Sequence, residues 1–471
     1  MEKSESGRNP QEANSSIKNE SEITEIQEES STSGGNENPL EQLFNDLEKK
    51  LKMLDLEKKL KMLLVLEDGR IYRVPYHLRK WNQEAYTPQV ISIGPYHHGK
   101  EKFQTMEKHK ERYFVCFMNR ARAAGVHINL EDLVTRTKRE MERRIRCCYV
   151  ETVVLESDYF VRMIKLDACF ILELFLRSYD RQGWEIDDPM LVEGWLFSTV
   201  WYELLLIENQ VPFFVIEELY HLALPSRSNT LSLIQLTFYF FEGLNIHKKD
   251  PNVNIQHFTD LLRLFQLPNE DKLPKRQREM IFPKYSATQL REAGVEFKVV
   301  SSECVENPQH KIKSKCVLDL NFRDGVLVIP HLVFEDNTEA CVRSIMALEQ
   351  CDPRKELYYS DFFLILDRLV NTSKDVDILS DKGIIVNSLG DNNVVTSIIN
   401  NLNRGIGRGD MNEDYCHLCD ALNKFYEERW HRWKALLRHQ YFSSPWRSAS
   451  TIAAIILVVL TLIQTIFSII K

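Results

Sequence analysis

The sequence LDACFILELF, residues Leu166 to Phe175, decides the fold class of this chain. On a helical path its apolar side chains surround the axis on most sides, which is the pattern of a helix buried within a domain. A second apolar run leads to Glu208-Asn209-Gln210, and Pro212 behind it is expected to break the helix because proline lacks a backbone N–H. The two runs predict one large, mainly helical domain.

The tripeptide Glu208-Asn209-Gln210 is polar between two apolar runs. Buried polar groups must find hydrogen-bond partners, so we interpret the tripeptide as a buried network that fixes the helix break at Pro212. A ligand site is the alternative interpretation.

Two runs of alternating hydrophobicity, residues 316–322 and 326–333, predict the β-structure. Asp324-Gly325 lies between them, and Asp-Gly between two such runs is a strong hairpin signal. A third candidate strand, residues 295–300, lies nearby in the sequence. We therefore expect a small antiparallel sheet beside the helices, which makes the fold class mainly α with α+β character.

Local signals predict several shorter helices. Ser286-Ala287-Thr288-Gln289 has the capping-box pattern of a helix start, and Gly294 is suited to end that helix. Further helices are expected over residues 338–350, 361–371 and 375–379.

Residues 71–112, which precede the buried helix, contain Pro75, Pro88 and Pro95. A proline disfavours helical geometry in the residue before it, so we expect extended or turn geometry around short β-like runs. A basic helix is expected to begin at about Met106 and to pack beside them.

The motifs of this block, and others after it, resemble the plant family called domain of unknown function 247. They occur in the family's order over roughly residues 71 to 470, and the departures are Ala168, Glu203 and Ser344, where Gly, Asp and Asn are commoner. The matching motifs are Arg73-Val74-Pro75, Tyr86-x-Pro88, Ser92–Gly99, Met106-Glu107-x-His109-Lys110, Leu166–Phe175 and Glu208–Phe214. The resemblance implies a plant protein with a C-terminal membrane helix and no established biochemistry. Some members are associated with self-incompatibility recognition, which points towards signalling.

The run SASTIAAIILVVLTLIQTIFSII, Ser448 to Ile470, contains 23 uncharged residues. A helix needs about 20 apolar residues to cross the hydrocarbon core of a bilayer. Ser444 suits an N-cap and Pro445 suits the first helical position, so we predict a single transmembrane helix over residues 445–470. The alternative is a buried hydrophobic helix of a soluble protein.

The charges beside this run predict its orientation. Basic residues precede it and Lys471 follows it, so the positive-inside rule places the N-terminal side in the cytosol. The preceding basic residues are Arg429, Arg432, Lys434, Arg438 and Arg447. We expect no signal peptide, because the chain does not start with a basic segment followed by an apolar core. The ten cysteines are then expected as thiols in a reducing cytosol, with the anchor in the plasma membrane or the endoplasmic reticulum.

Polar and small side chains share one face of the predicted span. On a helical wheel this face contains Ser450, Ala454, Thr461, Gln464, Thr465 and Ser468. Such a face allows close helix approach, and glutamine can hydrogen-bond across a helix pair. We therefore expect the lipid bilayer as one partner, unidentified proteins as others, and self-association through Thr461, Gln464 and Ser468.

The first 66 residues differ from the rest of the chain. Residues 1–39 contain nine Glu against three Lys or Arg and no aromatic side chain, which predicts a disordered acidic tail. Residues 40–66 predict a peripheral helix in which DLEKKLKML occurs twice in succession. A shift of nine residues turns a helix by about 900°, so the leucines of the two copies lie on opposite sides and a coiled coil is not expected. The globular domain is predicted over residues 67–442.

A catalytic centre would use Cys169 as the nucleophile, His97 or His98 as the base, and Asp167 or Glu208 to orient the base. Cys169 lies within the apolar helix, where cysteine usually acts as an inert small hydrophobe, so no catalytic residue is assigned. A Cys169 sulfur near an imidazole in an open cleft would favour an enzyme, whereas a sulfur sealed in the core would exclude this centre.

Metal, cofactor and nucleic-acid sites are not predicted. Cys416-His417-Leu418-Cys419 is a CxxC motif, but a structural zinc site needs a second matched pair, and Cys147-Cys148 has the wrong spacing. The loop 405–409, GIGRG, does not follow a strand of a βαβ unit, so it is not a dinucleotide loop. The basic residues 136–146 are interpreted as a solvated helix face, with a site for nucleic acid or anionic lipid as the alternative. The net charge of −8 gives no overall reason to expect nucleic acid.

The leading functional interpretation is a membrane-anchored cytosolic interaction or recognition module without enzymatic activity. The alternative is a cysteine-dependent or hydrolytic enzyme.

Overall fold

The computed structural model describes residues 47–53, 70–127, 130–180, 184, 187–224, 231–245, 248–269, 272–299, 319–428 and 445–470. The chain divides into two compact units, residues 1–59 and 60–471. In the first unit residues 47–53 are helical, and Lys52 Nζ lies 3.1 Å from Glu48 Oε1. The predicted acidic tail, the second copy of the repeated nonapeptide and residues 429–444, which contain most of the basic residues before the predicted span, lie outside the described residues.

The second unit is mainly helical, as predicted. Its described α-helices, in chain order, are α1 Tyr76–Arg79, α2 Gln104–Ala123, α3 Leu130–Glu140, α4 Glu142–Cys148, α5 Ser157–Asp180, α6 Pro189–Val192, α7 Gly194–Glu203, α8 Phe213–Ala223, α9 Leu233–Phe240, α10 Phe258–Gln266, α11 Ala287–Ala293, α12 Thr338–Cys351, α13 Tyr358–Leu369, α14 Ser373–Asp381, α15 Asn392–Leu402, α16 Glu413–Glu427 and α17 Pro445–Ile470.

Helix α5 contains the decisive sequence LDACFILELF and lies at the centre of the N-terminal half of this unit. Helices α2, α3, α8 and α9 all pack against it. Its Phe175 ring is fully buried, with ring centroids 4.3 Å from Phe240 and 5.6 Å from Phe258. A helix that is apolar on most sides needs neighbours on most sides, and α5 has them. The prediction of a buried helix is confirmed.

The C-terminal half packs its helices around α12, which contacts α10, α13 and α15. Helix α11 begins with the predicted capping box, in which the Ser286 N–H donates to Gln289 Oε1 at 2.9 Å. The helix ends at Gly294 with a φ of 108°, a left-handed conformation that glycine adopts without a steric penalty. The predicted helices over 338–350, 361–371 and 375–379 correspond to α12, α13 and α14.

The β-structure consists of short strands in three small sheets, which are β1 Arg276–Gln277, β2 Glu296–Val299, β3 Asn321–Arg323, β4 Val326–Ile329, β5 Leu332–Phe334, β6 Ile385–Asn387 and β7 Met411–Asn412. Strands β1 and β7 pair antiparallel, and β5 and β6 pair parallel. Strands β3 and β4 form the predicted hairpin, whose turn has φ values of 50° at Asp324 and 77° at Gly325. Positive φ at both central residues is the geometry that Asp-Gly favours.

The third strand of this sheet differs from the prediction of an all-antiparallel sheet. Strand β2 pairs parallel to β4, which makes the sheet mixed with the order β2-β4-β3. The parallel register aligns Phe297 with Leu327, and both side chains are buried on the core face. The predicted run 326–333 is also divided, because Pro330 interrupts it and β5 joins a separate sheet. The fold class remains mainly α with small β elements, as predicted.

Helix α17 is the described helix that is long and apolar enough to cross a membrane. Residues Ala449–Ser468 form a stretch of 20 residues with a mean hydropathy of 2.3, and none of it is buried. Its isoleucine, leucine and valine side chains are exposed all around the helix.

Candidate functional site

The residues of the family-like motifs meet around an irregular segment, residues 89–99, here called the motif loop. The loop has no strand partner, and the Glu203 carboxylate at the end of α7 receives its first N–H groups instead. Val90 N–H donates to Glu203 Oε1 at 3.0 Å, Ile91 N–H donates to Oε2 at 2.8 Å, and Gln89 N–H also donates to this carboxylate. Burial raises the pKa of Glu203, and the N–H donors oppose that shift.

Asn209 satisfies the next part of the motif loop with both ends of its amide. Its Oδ1 accepts from Ile93 N–H at 2.6 Å, while its Nδ2 donates to Ile91 O at 3.1 Å and to Glu203 O at 3.0 Å. Asn209 is fully buried, and these bonds use its donors and its acceptor on backbone groups.

Asp167 of helix α5 binds the centre of the loop. Its Oδ2 accepts from Gly94 N–H at 2.7 Å, and its Oδ1 lies 2.6 Å from Nζ of the fully buried Lys110. Lys110 also lies 2.6 Å from Glu107 Oε1 and donates to Ser92 O. Burial raises the pKa of Asp167 to about 6 against the opposing effect of Lys110.

Position 94 requires glycine because the backbone there lies close to the Gln210 carbonyl group. Its φ is 74°, and a Cβ atom added there would lie 2.3 Å from Gln210 O. The Gln210 side chain donates from Nε2 to Leu204 O at 2.6 Å and to Leu206 O at 2.7 Å, and its Oε1 accepts from Phe258 N–H at 2.8 Å. The amide therefore joins the irregular segment after α7 to the start of α10.

Glu208 joins the Arg73-Val74-Pro75 motif and helix α1 to the motif loop. Its Oε1 accepts from Val74 N–H at 2.7 Å, and its Oε2 lies 3.0 Å from His97 Nε2 and forms an ion pair with Arg79. His97 Nδ1 lies 2.9 Å from Lys100 Nζ. Burial acts to raise the pKa of Glu208, but the bonds from His97 and Arg79 outweigh it and lower the pKa. Burial lowers the pKa of His97. Because the Lys100 ammonium faces Nδ1 and can only donate, Nε2 is the ring nitrogen that donates to Glu208.

The structure does not bring Cys169 together with His97 or His98, the pairing that the hypothetical catalytic centre requires. Cys169 is fully buried in the core, and burial raises the pKa of its thiol to about 12. The charged groups that act on the thiol are Lys165 and Glu173, and neither is an imidazole base. A nucleophilic cysteine needs an accessible thiolate, so the Cys169 hypothesis is wrong for this structure.

The two histidines of the motif loop have separate partners. His97 and Glu208 form the pair described above, whereas His98 Nε2 lies 2.7 Å from the hydroxyl oxygen of the half-exposed Tyr159. Among the described residues the motif side chains thus meet backbone groups and one another, and the interpretation of Glu208-Asn209-Gln210 as a buried network is supported by these contacts.

Comparison of the sequence with known proteins identifies a family. The sequence model of the plant family of unknown function named domain of unknown function 247 matches residues 71–460. The chain belongs to this family. The UPF0481 protein At3g47200 of Arabidopsis thaliana is 29% identical over 432 residues, covering 85% of this chain and 86% of the relative. The putative UPF0481 protein At3g02645 of the same plant is 21% identical over 496 residues, covering 84% and 89%. No solved structure matches the chain.

The three departures from the usual sequence of the domain of unknown function 247 family occupy buried positions. Glu203 binds the motif loop, and Ser344 Oγ accepts from Ile207 N–H at 3.4 Å. Ala168 is fully buried next to Asp167 on α5. Glu203 and Ser344 therefore both accept hydrogen bonds from backbone N–H groups.

The CxxC motif lies on α16 with both thiols buried. The Cys416 thiol donates to Glu279 O at 3.2 Å, and burial raises the pKa of Cys419. His417 between them points to solvent, with its Nε2 3.9 Å from Glu413 Oε1. Within the described part of the chain, no group of three or more His, Cys, Asp or Glu side chains has an arrangement that would hold a metal ion.

One cleft was not predicted from the sequence. Residues 406–409 of the GIGRG loop, which was considered above as a dinucleotide loop, form part of its lining. We call it the arginine cleft, and it has a volume of about 170 Å³. Its polar and charged lining residues are Ser360, Asp361, Asp367, Arg368, Asn400, Asn403, Arg404 and Arg408. These residues come from separate segments of the chain, so no local sequence motif predicts the cleft.

Proposed function

We propose that this member of the family is a membrane-anchored interaction module that has no enzymatic activity and whose globular domain lies in the cytosol. The observation that carries this proposal is the exposed apolar stretch Ala449–Ser468, with a mean hydropathy of 2.3 and no buried part. A helix with apolar side chains on every face is unstable in water unless something covers it, and the hydrocarbon of a bilayer supplies that cover.

The orientation of the proposed anchor follows from charge. Basic residues are concentrated on its N-terminal side, and Lys471 follows the span. The positive-inside rule then places the domain in the cytosol, at the plasma membrane or the endoplasmic reticulum.

The motif network supports the non-enzymatic part of the proposal. Glu203, Asn209 and Gln210 direct their polar atoms to backbone groups, and Asp167 is engaged by Gly94 N–H and Lys110. Groups held in this way stabilise an irregular loop and have little remaining capacity for a substrate. The sealed position of Cys169 does not favour the alternative, a cysteine-dependent enzyme.

An exposed apolar surface supports the interaction part of the proposal. Leu191 is 53% exposed, Val192 is 65% exposed and Trp195 is 60% exposed, all on the consecutive helices α6 and α7. The exposed acidic residue Glu193 lies between them in the sequence, whereas the exposed Asp187 is paired with Arg112 at 3.0 Å. A large exposed tryptophan with apolar neighbours is typical of a protein contact, and Glu193 favours a protein partner with a basic residue beside an apolar contact.

Microsomes from plant tissue test the anchor and its orientation. The full chain should stay in the membrane fraction after alkaline carbonate extraction, and added protease should digest its globular domain without detergent. A variant with Ile456→Asp and Val459→Asp should be released by carbonate, while Ile456→Leu should behave like the parent. Release of the parent chain would contradict the anchor, and a protected domain would contradict the cytosolic orientation.

Proximity labelling from the globular domain in native tissue tests the interaction surface. The proposal expects a reproducible set of labelled proteins that is reduced for Trp195→Ser and kept for Tyr76→Ser, a control at an exposed aromatic residue elsewhere in the chain. Equal labelling by both variants would exclude the Trp195 surface as the contact.

The self-association of the proposed anchor rests on Gln464. The Thr461 hydroxyl donates to Leu457 O at 2.7 Å and the Thr465 hydroxyl donates to Thr461 O at 2.8 Å, so both are satisfied within the helix. Gln464 is the one amide side chain between Pro445 and Ile470, and its amide suits a hydrogen bond between helices. Ser468 lies one turn further along the same face.

The oligomeric state tests this idea. Replacing Thr461 and Gln464 with Leu should shift the full chain towards the monomer in bilayer nanodiscs and in detergent, whereas Leu462→Ile should not. If the double variant has the same oligomeric state as the parent, the polar face does not mediate self-association.

A further inference from the structure

The arginine cleft lies between helix α13, the end of helix α15 and the loop that leads from α15 to β7. Arg368 comes from α13, whereas Arg404 and Arg408 come from the loop. All three side chains are exposed to solvent. Within the described residues, no carboxylate lies within 4.0 Å of any of their guanidinium groups, although many other arginines of the chain have such a partner.

Aromatic rings hold these guanidinium groups in place. The Arg404 guanidinium carbon lies 5.0 Å from the Trp81 ring centroid. Those of Arg368 and Arg408 lie 5.9 Å and 5.7 Å from the same Phe282 centroid. Cation–π contacts of this kind fix a guanidinium without neutralising its charge. Both charges also line one cleft, where a bound anion would offset their mutual repulsion.

The loop itself is attached at two points. Gly405 has a φ of 83°, and a Cβ atom there would lie 2.6 Å from His77 O, so the loop is pressed against α1. Gly407 N–H donates to Gln350 Oε1 at 2.9 Å, and Gln350 Nε2 donates to Gly407 O at 3.1 Å. Arg404 and Arg408 therefore extend from a fixed backbone, and a fixed site loses less entropy when a ligand binds.

The two carboxylates of the cleft do not cancel its positive charge. Asp361 lies 2.9 Å from Arg276 Nη1, outside the set of three arginines. With the Asn400 amide oriented so that both of its ends are satisfied, its Nδ2 donates to Asp367 Oδ1 at 3.1 Å. Burial raises the pKa of Asp367, and Arg368, Asn403 and Arg404 oppose that shift. The cleft thus presents more guanidinium groups than unpaired carboxylates.

We propose that the arginine cleft binds the phosphoryl group of a phosphomonoester, either a soluble one or a lipid headgroup. Guanidinium forks match phosphate oxygens in bidentate geometry and remain charged at every physiological pH. The volume of about 170 Å³ is below the roughly 300–1,000 Å³ of sites that enclose drug-sized ligands. The cleft therefore encloses the phosphoryl end of the ligand and leaves the rest at the surface. This inference does not depend on the proposed anchor.

Calorimetric titration of the full chain in phosphatidylcholine nanodiscs tests the proposal. The probes are inorganic phosphate, glycerol phosphate as the soluble phosphomonoester, and acetate as the anion control. Phosphate probes should bind and acetate should bind more weakly. The double variant Arg404→Gln and Arg408→Gln should lose at least about tenfold in affinity, while Arg291→Gln, an exposed arginine on α11, should bind like the parent.

Removing a negative charge from the cleft distinguishes an electrostatic effect on binding from a loss of binding caused by damage to the fold. Asp367→Asn removes a negative charge from the cleft and keeps a side-chain oxygen, so it should tighten phosphate binding severalfold. Thermal unfolding without ligand verifies that each variant is folded. If the folded double variant binds phosphate like the parent, or if Asp367→Asn weakens binding, the proposal is wrong.

The source of the phosphoryl group is identified by a second pair of nanodiscs. Nanodiscs with phosphatidylinositol phosphate should reduce the binding of glycerol phosphate if the lipid headgroup occupies the cleft, and should not change it if the ligand is soluble. Both results support a phosphoryl site. No measurable binding of any phosphate probe in either nanodisc would overturn it.

Discussion

Side chains rather than neighbouring strands satisfy the backbone of the motif loop. Glu203, Asn209 and Asp167 are buried and receive N–H groups of residues 89–94, of which residues 91–94 are themselves buried. A buried N–H group without an acceptor costs about 1–3 kcal/mol. Each acceptor is therefore a point at which a single substitution is costly.

Glu203→Ala should destabilise the protein by about 3 kcal/mol or more, because several N–H groups lose their acceptor together. Glu203→Asp should lose less because it keeps a carboxylate. Urea unfolding of the full chain in detergent measures both. The exposed Glu217→Ala is the control and should change stability by less than about 0.5 kcal/mol; an equal loss in Glu203→Ala and the control would contradict the role of Glu203.

Two glycines of the motif loop form a matched pair. Gly94 and Gly99 both have positive φ, 74° and 81°, but an added Cβ would meet Gln210 O at 2.3 Å only at Gly94 and would meet no atom within 4 Å at Gly99. Gly99→Ala should cost about 1–2 kcal/mol for its backbone conformation, and Gly94→Ala should cost clearly more. Thermal melts of the two variants give the difference, and equal losses would show that the close approach is easily relieved.

Buried His257 gives stability a pH dependence. Burial lowers its pKa from 6.5 to about 4 despite the nearby Asp260. The unfolded chain takes up a proton as the pH falls through 6.5, whereas the folded chain does not until about 4. Stability present above 6.5 is therefore lost across this window, with a slope of about 1.4 kcal/mol per pH unit.

His257→Asn keeps a side chain suited to the N-cap of α10 and removes the titrating group. Urea unfolding at a series of pH values should give a shallower decline for this variant, by about one proton between pH 6.5 and 4. Parallel curves for the variant and the parent would contradict the assignment to His257.

At the scale of elements, the central helix α5 organises its half of the domain. Phe175 lies in an aromatic cluster with Phe240, Phe241 and Phe258, with ring centroids between 4.3 Å and 5.9 Å away. Tyr179 follows one turn later and is exposed. Phe175 therefore represents the buried face of α5, and Tyr179 represents an exposed position on the same helix.

Phe175→Ala should cost about 3–5 kcal/mol because it leaves a cavity in a packed core. Tyr179→Ala, its neighbour on the same helix, should cost less than about 1 kcal/mol. Chemical unfolding monitored by circular dichroism separates the two values. Similar losses would mean that α5 is not the centre of the core.

Elements set by local chemistry were predictable from the sequence, and elements set by distant contacts were not. The capping box at Ser286 and the Asp324-Gly325 turn depend on residues within a few positions, and both were predicted. The parallel pairing of β2 with β4 depends on how the chain returns after a long connection, which no local pattern encodes.

The candidate sites likewise have features that local sequence predicts and features that depend on distant contacts. The burial of Glu208-Asn209-Gln210 was predicted from its apolar flanks, but its partners were not, because Glu208 reaches Val74 across 134 positions of sequence. The arginine cleft was missed because Phe282, Arg368 and Arg408 are far apart in the sequence, and only the fold places them around one ring.

For the molecule as a whole, the thiol of Cys169 reports on cooperative unfolding. It is fully buried at the centre of α5, and its pKa is raised to about 12. Iodoacetamide should not modify it in the folded protein, whereas the half-buried Cys116 and Cys147 should react first. Mass spectrometry of each peptide across a urea series should show Cys169 modified only through the main transition, and earlier modification would reveal local opening of the core.

The length of the apolar helix has a consequence for traffic between compartments. The 20 residues of Ala449–Ser468 rise about 30 Å, whereas the hydrocarbon layer is about 27 Å thick in the endoplasmic reticulum and about 32–33 Å thick in the plasma membrane. The proposed span, which the apolar Ile469 and Ile470 extend further, therefore matches the thickness of the plasma membrane more closely than that of the endoplasmic reticulum. On the proposal of a membrane anchor, membrane thickness would act as a sorting signal, and inserting Leu residues in the middle of the span should move the steady-state distribution towards the cell surface.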